Sequence, residues 1–505
     1  MEEKKGLKAF AGENPTWLFW ACFIALVATS FGFIIRTQII GDWGIQFNLS
    51  ETQKGELLGV GLWPFAITII LFSFIVDKIG YGRAMIFAFA CHIISAILTI
   101  FANGYWMLYI GTFIVALGNG AVEAVINPVV ATVFHRDKTK WLNILHAGWP
   151  GGLVLGGLIT LVMGPGVDWR WKVALIFIPA VVYGLMMLRT KFPVHERVKA
   201  GVSYKAMLQE AGVLGAAIIT IMIIRELGRV FQMSLTLQII IAAVLVLGYG
   251  LYVRTLGRPL FVILLLIMIP LATTELGTDS WITDLVKPIM TDIGLQAGWV
   301  LVYTSFIMMV VRFAAGPIVH RLTPLGTLAV CSFIAIVGLV TLSKTAGIMV
   351  FVAATIYGFG KSLFWPTMLG IVAERFPKGG ALTINTIAGF GMLTVGVVGA
   401  AFLGNIQDNQ IDQELRTKNP ALHQRIVDAP KVSIFGEYQP LDHKKIEALP
   451  PEKQSKVKAI VNSAKKNALQ TVALFPAIML LCYLILILYF RSKGGYKPIS
   501  LTEGG

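Results

Sequence analysis

Charge is scarce in this 505-residue chain: Asp, Glu, Lys and Arg together make up 14% of it, against about 25% in soluble domains. That scarcity excludes an ordinary soluble fold. Cysteine is scarcer still. Cys22, Cys91, Cys331 and Cys482 all lie inside apolar stretches, which suits packed small hydrophobes and not a disulfide scaffold or a metal site. No metal and no cofactor are expected. The chain has no Gly-Lys-Ser/Thr phosphate loop, no His-Glu-x-x-His and no nucleophile elbow. These absences argue against an enzyme and against an ATP-driven pump. No cleavable leader is expected either. The first apolar segment starts near Trp17, is long enough to span, and lacks a small-residue cleavage site.

What the chain has is apolar length. Hydrophobic residues reach 56% and mean hydropathy is +0.75, and about 20 apolar residues suffice to cross a bilayer as a helix. Spans are predicted at 17–40, 57–76, 84–101, 106–130, 144–163 and 171–188. A basic stretch from Arg189 to Gly212 follows, then apolar segments at 213–231 and 235–253. Six further spans are predicted at 259–281, 297–319, 326–342, 347–371, 380–403 and 471–490. The reading is an all-α membrane protein with twelve core transmembrane helices in two six-helix halves. Residues 1–188 form the first half, 189–258 a linker carrying an inserted hydrophobic hairpin, and 259–505 the second half with a polar loop at 404–470. In the insert only Val213 to Ile224 is uninterrupted, with Arg225, Glu226 and Arg229 after it. It either spans with snorkelling ends or forms half of an interfacial hairpin.

The net charge of +15 fits topology better than nucleic-acid binding. Lys78/Arg83, Arg136/Lys138/Lys140, Arg189/Lys191/Arg197/Lys199, Arg321, Arg375/Lys378 and Arg491/Lys493 all fall on one side, which should be cytoplasmic. Both termini are then cytoplasmic in a multi-pass inner-membrane protein. The loop 404–470 lies outside, as short solvated helices. The expected partners are the lipid bilayer, a small-molecule substrate and a co-transported proton, with no nucleic acid and a monomeric state.

The two halves repeat. Gln53-Lys54-Gly55 corresponds to Gln296-Ala297-Gly298, and Ile75-Val76-Asp77-Lys78 to Ile318-Val319-His320-Arg321, both at an offset of 243 residues; Pro128 and Pro366 correspond at 238. Repeated halves that meet at a central site are a transporter signature. The loop Asp77-Lys78-Ile79-Gly80-Tyr81-Gly82-Arg83 resembles the signature loop of the major facilitator superfamily. Its glycines permit a tight turn, and Asp77 and Arg83 can pair across it. Ser73 replaces the usual leading glycine, and His320 replaces the acid in the second half. With Asp77, Gly80 and Arg83, His320 and Arg321 are read as conformational.

A finer resemblance is to the fucose–proton symporter family. Gly118 through Pro128 and Leu142-Asn143-Ile144-Leu145-His146 look like its fourth and fifth helices, Ser362-Leu363-Phe364-Trp365-Pro366-Thr367 like its tenth, and Thr274-Glu275-Leu276-Gly277 like part of its seventh. That resemblance implies proton-driven sugar uptake with an acid on helix 4, matched by Glu123, and another on helix 1. The second is absent: Thr37 stands at about that place, beside Arg36.

Ionisable groups inside spans are costly and mark function by default. Arg36, Glu123, His146, Glu275, Asp279 and Lys361 are the notable ones. The superfamily resemblance implies that helices 1, 4, 7 and 10 line a central cavity, and all but His146 lie on them. Glu123 and Lys361 each precede their repeat's proline by five residues. They are expected to face each other across the cavity, in proton coupling or as a static ion pair. Glu275 and Asp279 share a helix face and, with Arg36, form either an outer gate or a solvated mouth. His146 is a proton relay or a packed histidine; His92 is read as structural. Asn127, Asn143 and Asn385 can donate to and accept from sugar hydroxyls, and Trp149 and Trp365 can stack on a sugar. Pro128 and Pro366 should free backbone carbonyls toward the cavity. The glycine run Gly148, Gly151, Gly152, Gly156, Gly157 permits close helix contact. The leading expectation is proton-coupled symport of a small polar solute, sugar first, by alternating access. The alternatives are a facilitator or carrier for an anionic solute using Arg36 and Lys361, and a transport-dead sensor that reads its ligand with the outer loop.

Overall fold

The computed structural model describes residues 14–501 except 50, 165, 189, 279–297, 346, 396–399, 429 and 434–435. The first helix, α1 (Pro15–Gln46), starts where Asn14 accepts from the Trp17 N–H and Pro15 opens the first turn. Its 32 residues extend about 48 Å, more than the roughly 30 Å of a hydrocarbon core. Next come α2 (Trp63–Ile79), α3 (Tyr81–Ile100) and α4 (Tyr105–Val133). The turn between α2 and α3 is made by Gly80 at φ 89°, a left-handed conformation that suits glycine. One membrane path is then split at Ala147 into α5 (Lys138–His146) and α6 (Gly148–Met163), and α7 (Trp169–Leu188) closes the first half.

Two helices follow before the second half, α8 (Tyr204–Val230), which bends at Gly212, and α9 (Leu235–Val253). They run antiparallel: Arg225 reaches Gln238 near one end, and the Tyr249 hydroxyl donates to the Leu208 carbonyl near the other. The second half begins with α10 (Pro259–Ala272), whose path continues as a π-helical turn, Thr273–Gly277. It goes on through α11 (Gly298–Phe313), α12 (Ala315–Lys344), α13 (Met349–Lys361), α14 (Phe364–Arg375) and α15 (Gly380–Thr394). Thr323, in a left-handed conformation ahead of Pro324, breaks α12, which is where the boundary between the predicted spans 297–319 and 326–342 falls.

Among the described residues, eleven helices are long and apolar enough to cross a membrane, α8 and α9 included. Three predicted spans complete the twelve core paths: α11, the path split into α13 and α14, and α15, which runs toward residues outside the description.

The segment 404–470 is more than the short solvated helices expected. Two long helices, α16 (Ala400–Lys418) and α17 (Pro451–Val472), with Pro420–Ile426 between them, enclose a small apolar core of Ile411, Leu415, Leu422, Ile426, Val457 and Ala464. A short antiparallel hairpin, Lys431–Ser433 with Gly436–Tyr438, lies between. The last helix, α18 (Leu474–Ser492), returns through the bundle.

The halves meet along α2 against α15, α5 against α14 and α6 against α11. Small residues set these approaches. A Cβ at Gly389 would lie 2.5 Å from Ile70 and 2.9 Å from the Ala66 carbonyl. Within the first half, α6 lies on α1 through its glycine run. A Cβ at Gly152 would land on the Ser30 hydroxyl and 2.5 Å from the Val27 carbonyl. Gly152→Leu should therefore push α1 and α6 apart at a cost of about 1–3 kcal/mol or more. The expected outcome is a lower melting temperature of the detergent-purified protein, with Gly55→Leu, at an open position, as an unaffected control.

Candidate functional site

A narrow cavity of about 30 Å³ lies where the two halves meet, far below the roughly 300–1,000 Å³ of a ligand-filled pocket. Its polar lining is Glu123 of α4, His146 of α5, Glu275 of the π turn and Arg312 of α11. Phe65, Trp149 and Trp365 supply aromatic walls, and Ile69, Leu276, Ala388 and Met392 the remainder.

Arg312 is the centre of the site, and the geometry around it follows from prolines. Proline has no N–H to give the carbonyl four residues earlier. Pro150 therefore leaves the His146 carbonyl free, Pro366 leaves the Ser362 carbonyl free, and Pro128 leaves the Ala124 carbonyl free. The Arg312 guanidinium donates to two of these, from Nη1 to the His146 oxygen at 2.8 Å and from Nε to the Ser362 oxygen at 2.7 Å. Its Nη2 donates to Glu275 Oε1 at 2.6 Å, both side chains being 2% exposed. The other Glu275 oxygen accepts the Trp365 N–H at 2.9 Å, so the carboxylate also caps the start of α14, where helix N–H groups are free. The third freed carbonyl, of Ala124, accepts from Asn385 Nδ2 at 2.8 Å. Arg312 and Asn385 thus tie the second half to the first.

A second chain of hydrogen bonds runs from the same histidine. His146 Nε2 donates to Asn127 Oδ1 at 2.8 Å, and Asn127 Nδ2 donates to Glu123 Oε2 at 2.7 Å. The His146 backbone thus holds Arg312 while its ring leads, through one amide, to Glu123.

Of the expected residues, Glu123, His146, Trp149, Glu275 and Trp365 meet at the cavity, and the others go elsewhere. Glu123 does not approach Lys361; its carboxylate bonds to Asn127. Lys361 is buried with Nζ 5.5 Å over the Tyr357 ring. Arg36 donates to the Gly32 carbonyl at 3.1 Å and to the Ser95 hydroxyl at 2.8 Å, inside the first half and away from Glu275. Asp279 lies outside the described residues. Asn143 donates to the Thr139 carbonyl and to the Thr367 hydroxyl. With Asn127 and Asn385, all three amide nitrogens donate to protein, the Asn385 Oδ1 lacks a partner, and none of the three lines the cavity. His92 is packed between Asn119 and Tyr183. Arg312 was not anticipated. The signal was present, since it is the lone charge of the apolar stretch 297–319.

The face carrying the basic loops is sealed by polar contacts. Asp77 does not pair with Arg83, which is exposed. It pairs instead with Arg197 of the linker at 2.6 Å and accepts from the Tyr81 hydroxyl. The neighbouring His195 accepts the Arg197 N–H on Nδ1, and burial holds its pKa below the ordinary value. Lys138 pairs with Glu196 at 2.5 Å and donates to the Ala373 carbonyl. The Thr139 hydroxyl donates to Glu374 at 2.5 Å, and the other Glu374 oxygen accepts from Tyr496 at 2.7 Å. Burial and Glu374 itself hold Tyr496 well above its usual pKa, so it remains a donor. His320 lies 3.7 Å from Asp137, and Arg321 is exposed.

Arg312→Met would strand a buried carboxylate and two carbonyls, at a cost of about 3–5 kcal/mol. Arg312→Met/Glu275→Leu removes the stranded charge as well. The double variant should melt above the Arg312→Met single in detergent. If it melts lower by the sum of both singles, Arg312 and Glu275 do not act as a pair.

Similarity to known proteins fits this architecture. A relative named a probable sugar efflux transporter in Helicobacter pylori (strain G27) is 24% identical over 193 residues, 38% of this chain and 49% of the relative. One named a gentisate transporter in Corynebacterium glutamicum is 24% identical over 170 residues, 33% of this chain and 37% of the relative. The chain thus spans less than half the length of these curated relatives. The crystal structure of the E. coli fucose:proton symporter superposes with a TM-score of 0.54 at 15% identity, covering 92% of this chain and 98% of the symporter. Twelve core paths in two halves, the Asp77–Arg83 loop and a match of residues 17–402 to the Major Facilitator Superfamily model together establish that the chain belongs to the Major Facilitator Superfamily.

Proposed function

We propose that this protein is a secondary transporter that moves a small polar solute across the inner membrane by alternating access, with a proton bound in the cavity as the coupling ion. One observation carries the reading: two buried carboxylates, Glu123 and Glu275, line one narrow cavity in which Arg312 pairs with Glu275 alone. Glu275 is neutralised by Arg312. Glu123 makes no ion pair among the described residues and rests on the Asn127 amide. An unneutralised carboxylate inside a membrane is expensive. A proton on Glu123 makes the closed cavity neutral, which lets the loaded carrier change state. The Arg312–His146 and Asn385–Ala124 ties join the two halves, and a rocking motion must break them.

We place the basic face in the cytoplasm, with both termini there and α8 and α9 crossing the membrane. The closed cytoplasmic side then marks an occluded or outward-facing state of a monomer. A sugar as solute is supported by Trp149 and Trp365, one from each half, whose faces suit a pyranose ring, and by the relative named for sugar efflux. A second reading, an anionic organic solute, is favoured by Arg312 in the cavity wall and by the relative named for gentisate.

The test is uptake of labelled sugars and organic acids into proteoliposomes with and without an inward proton gradient. Glu123→Gln should abolish gradient-driven uptake while sparing exchange of preloaded solute. Driven uptake that continues at the wild-type rate would remove Glu123 from the coupling.

A further inference from the structure

The polar groups near the cavity are nearly all consumed by the protein. Asn127 and Asn143 are engaged with Glu123 and His146 and with Thr139 and Thr367, and Asn385 donates to Ala124, leaving its Oδ1 as the one amide atom of the three without a partner. The Ser362 carbonyl is taken by Arg312. Among the described residues, the wall apart from Glu123, His146, Glu275 and Arg312 is aromatic and aliphatic. A polyhydroxylated solute enclosed there would leave several hydroxyls unpartnered, each at a cost of about 1–3 kcal/mol. An apolar ring against Phe65, Trp149 and Trp365 carries no such cost.

Among the described residues, Arg312 supplies the one permanently cationic grip of this wall. Two edges of its guanidinium are fixed on the His146 and Ser362 carbonyls. The third, Nη2, holds Glu275, and that partner is a carboxylate, the group a planar guanidinium fork matches best. We infer that the solute is a monocarboxylate with an aromatic or bulky apolar body, whose carboxylate replaces Glu275 on Arg312 while Glu275 takes up a proton. This rests on the transport reading above and names its substrate class.

Glu275 takes its proton from the side where the solute enters and gives it up as the solute leaves, when the Glu275–Arg312 pair reforms; this proton is additional to the one that the transport reading places on Glu123. Among the described residues, the other ionisable groups buried on the neighbouring elements include Cys331 of α12, Tyr357 and Lys361 of α13, Glu374 of α14 and Tyr483 of α18. The Tyr357 hydroxyl donates to the Thr274 carbonyl, which anchors the turn that carries Glu275.

The experiment uses the full chain in proteoliposomes, with labelled 3-phenyllactate, its carboxamide and fucose, and protein-free liposomes to subtract passive entry. Phenyllactate should enter when an inward proton gradient is imposed and not without one. The carboxamide should enter about tenfold more slowly or worse, the worth of a lost charge-assisted hydrogen bond. Arg312→Lys should lose a similar factor. In case that variant does not fold, phenyllactate should raise the melting temperature of the wild-type protein and the carboxamide should not. Proton-driven entry of fucose without entry of phenyllactate overturns the substrate class and leaves the transport reading standing. A protein that moves neither these probes nor any of a wider panel of sugars and acids overturns the transport reading as well.

Discussion

Three backbone carbonyls left without helical donors govern the centre of this molecule. Each lies four residues before a proline: Ala124 before Pro128, His146 before Pro150, Ser362 before Pro366. A free carbonyl in a dry interior must find a donor. In this chain the donors come from the second half, Asn385 for one and Arg312 for the other two. The obligation to satisfy backbone oxygens therefore does two things. It joins the halves at the level of the cavity, and it fixes a guanidinium in the plane where Glu275 can meet it. The helices from both halves at the site are irregular at these places: α4 carries a proline, the α5–α6 and α13–α14 paths are split, and Glu275 sits on a π turn. Irregular backbone within a membrane is tolerated where protein satisfies it, and Arg312 provides much of that satisfaction.

The same arrangement limits which charges the cavity can hold. Two of the Arg312 donor edges rest on backbone carbonyls, which hold the guanidinium in place where the third meets Glu275. Glu123 is linked to the Arg312 anchor through Asn127 and the His146 ring. Events at either carboxylate therefore reach the same residue, one by its backbone oxygen and the other by its side chain.

Much of the architecture was legible as apolar length. The predicted spans fall on helices, and the boundary between 297–319 and 326–342 falls on the Thr323 break. Residue type also marked Glu123, Glu275, His146, Trp149 and Trp365. What the sequence does not display is partnership. Asp77 has Arg83 six residues away, yet its partner is Arg197 from the linker, because the fold lays that linker over the loop. Asn143 and Asn385 have the chemistry of sugar ligands, but neighbouring helices claim their amides first. Arg312 was missed for another reason. The resemblance directed attention to helices 1, 4, 7 and 10, whereas the pattern that locates Arg312 is a lone charge in an apolar span together with prolines on two other helices. The small core around Leu415 and Val457 in the outer segment is likewise a product of two long helices meeting, and no single stretch announces it.

The cavity and the sealed basic face are connected by two short, stiff helices. The nine residues of α5 cover about 13 Å, with Lys138 and Thr139 at one end and His146 at the other. Beside it α14 has Glu374 at the basic face and Trp365, whose N–H Glu275 accepts, at the cavity. Midway, Asn143 meets Thr367. A helix this short, hydrogen-bonded along its length, does not bend easily between its ends. α5 therefore joins two sets of contacts with the second half: the His146 carbonyl on Arg312 at the cavity, and Lys138 and Thr139 on the Ala373 carbonyl and Glu374 at the basic face. A motion that separates the halves along α5 has to break both sets.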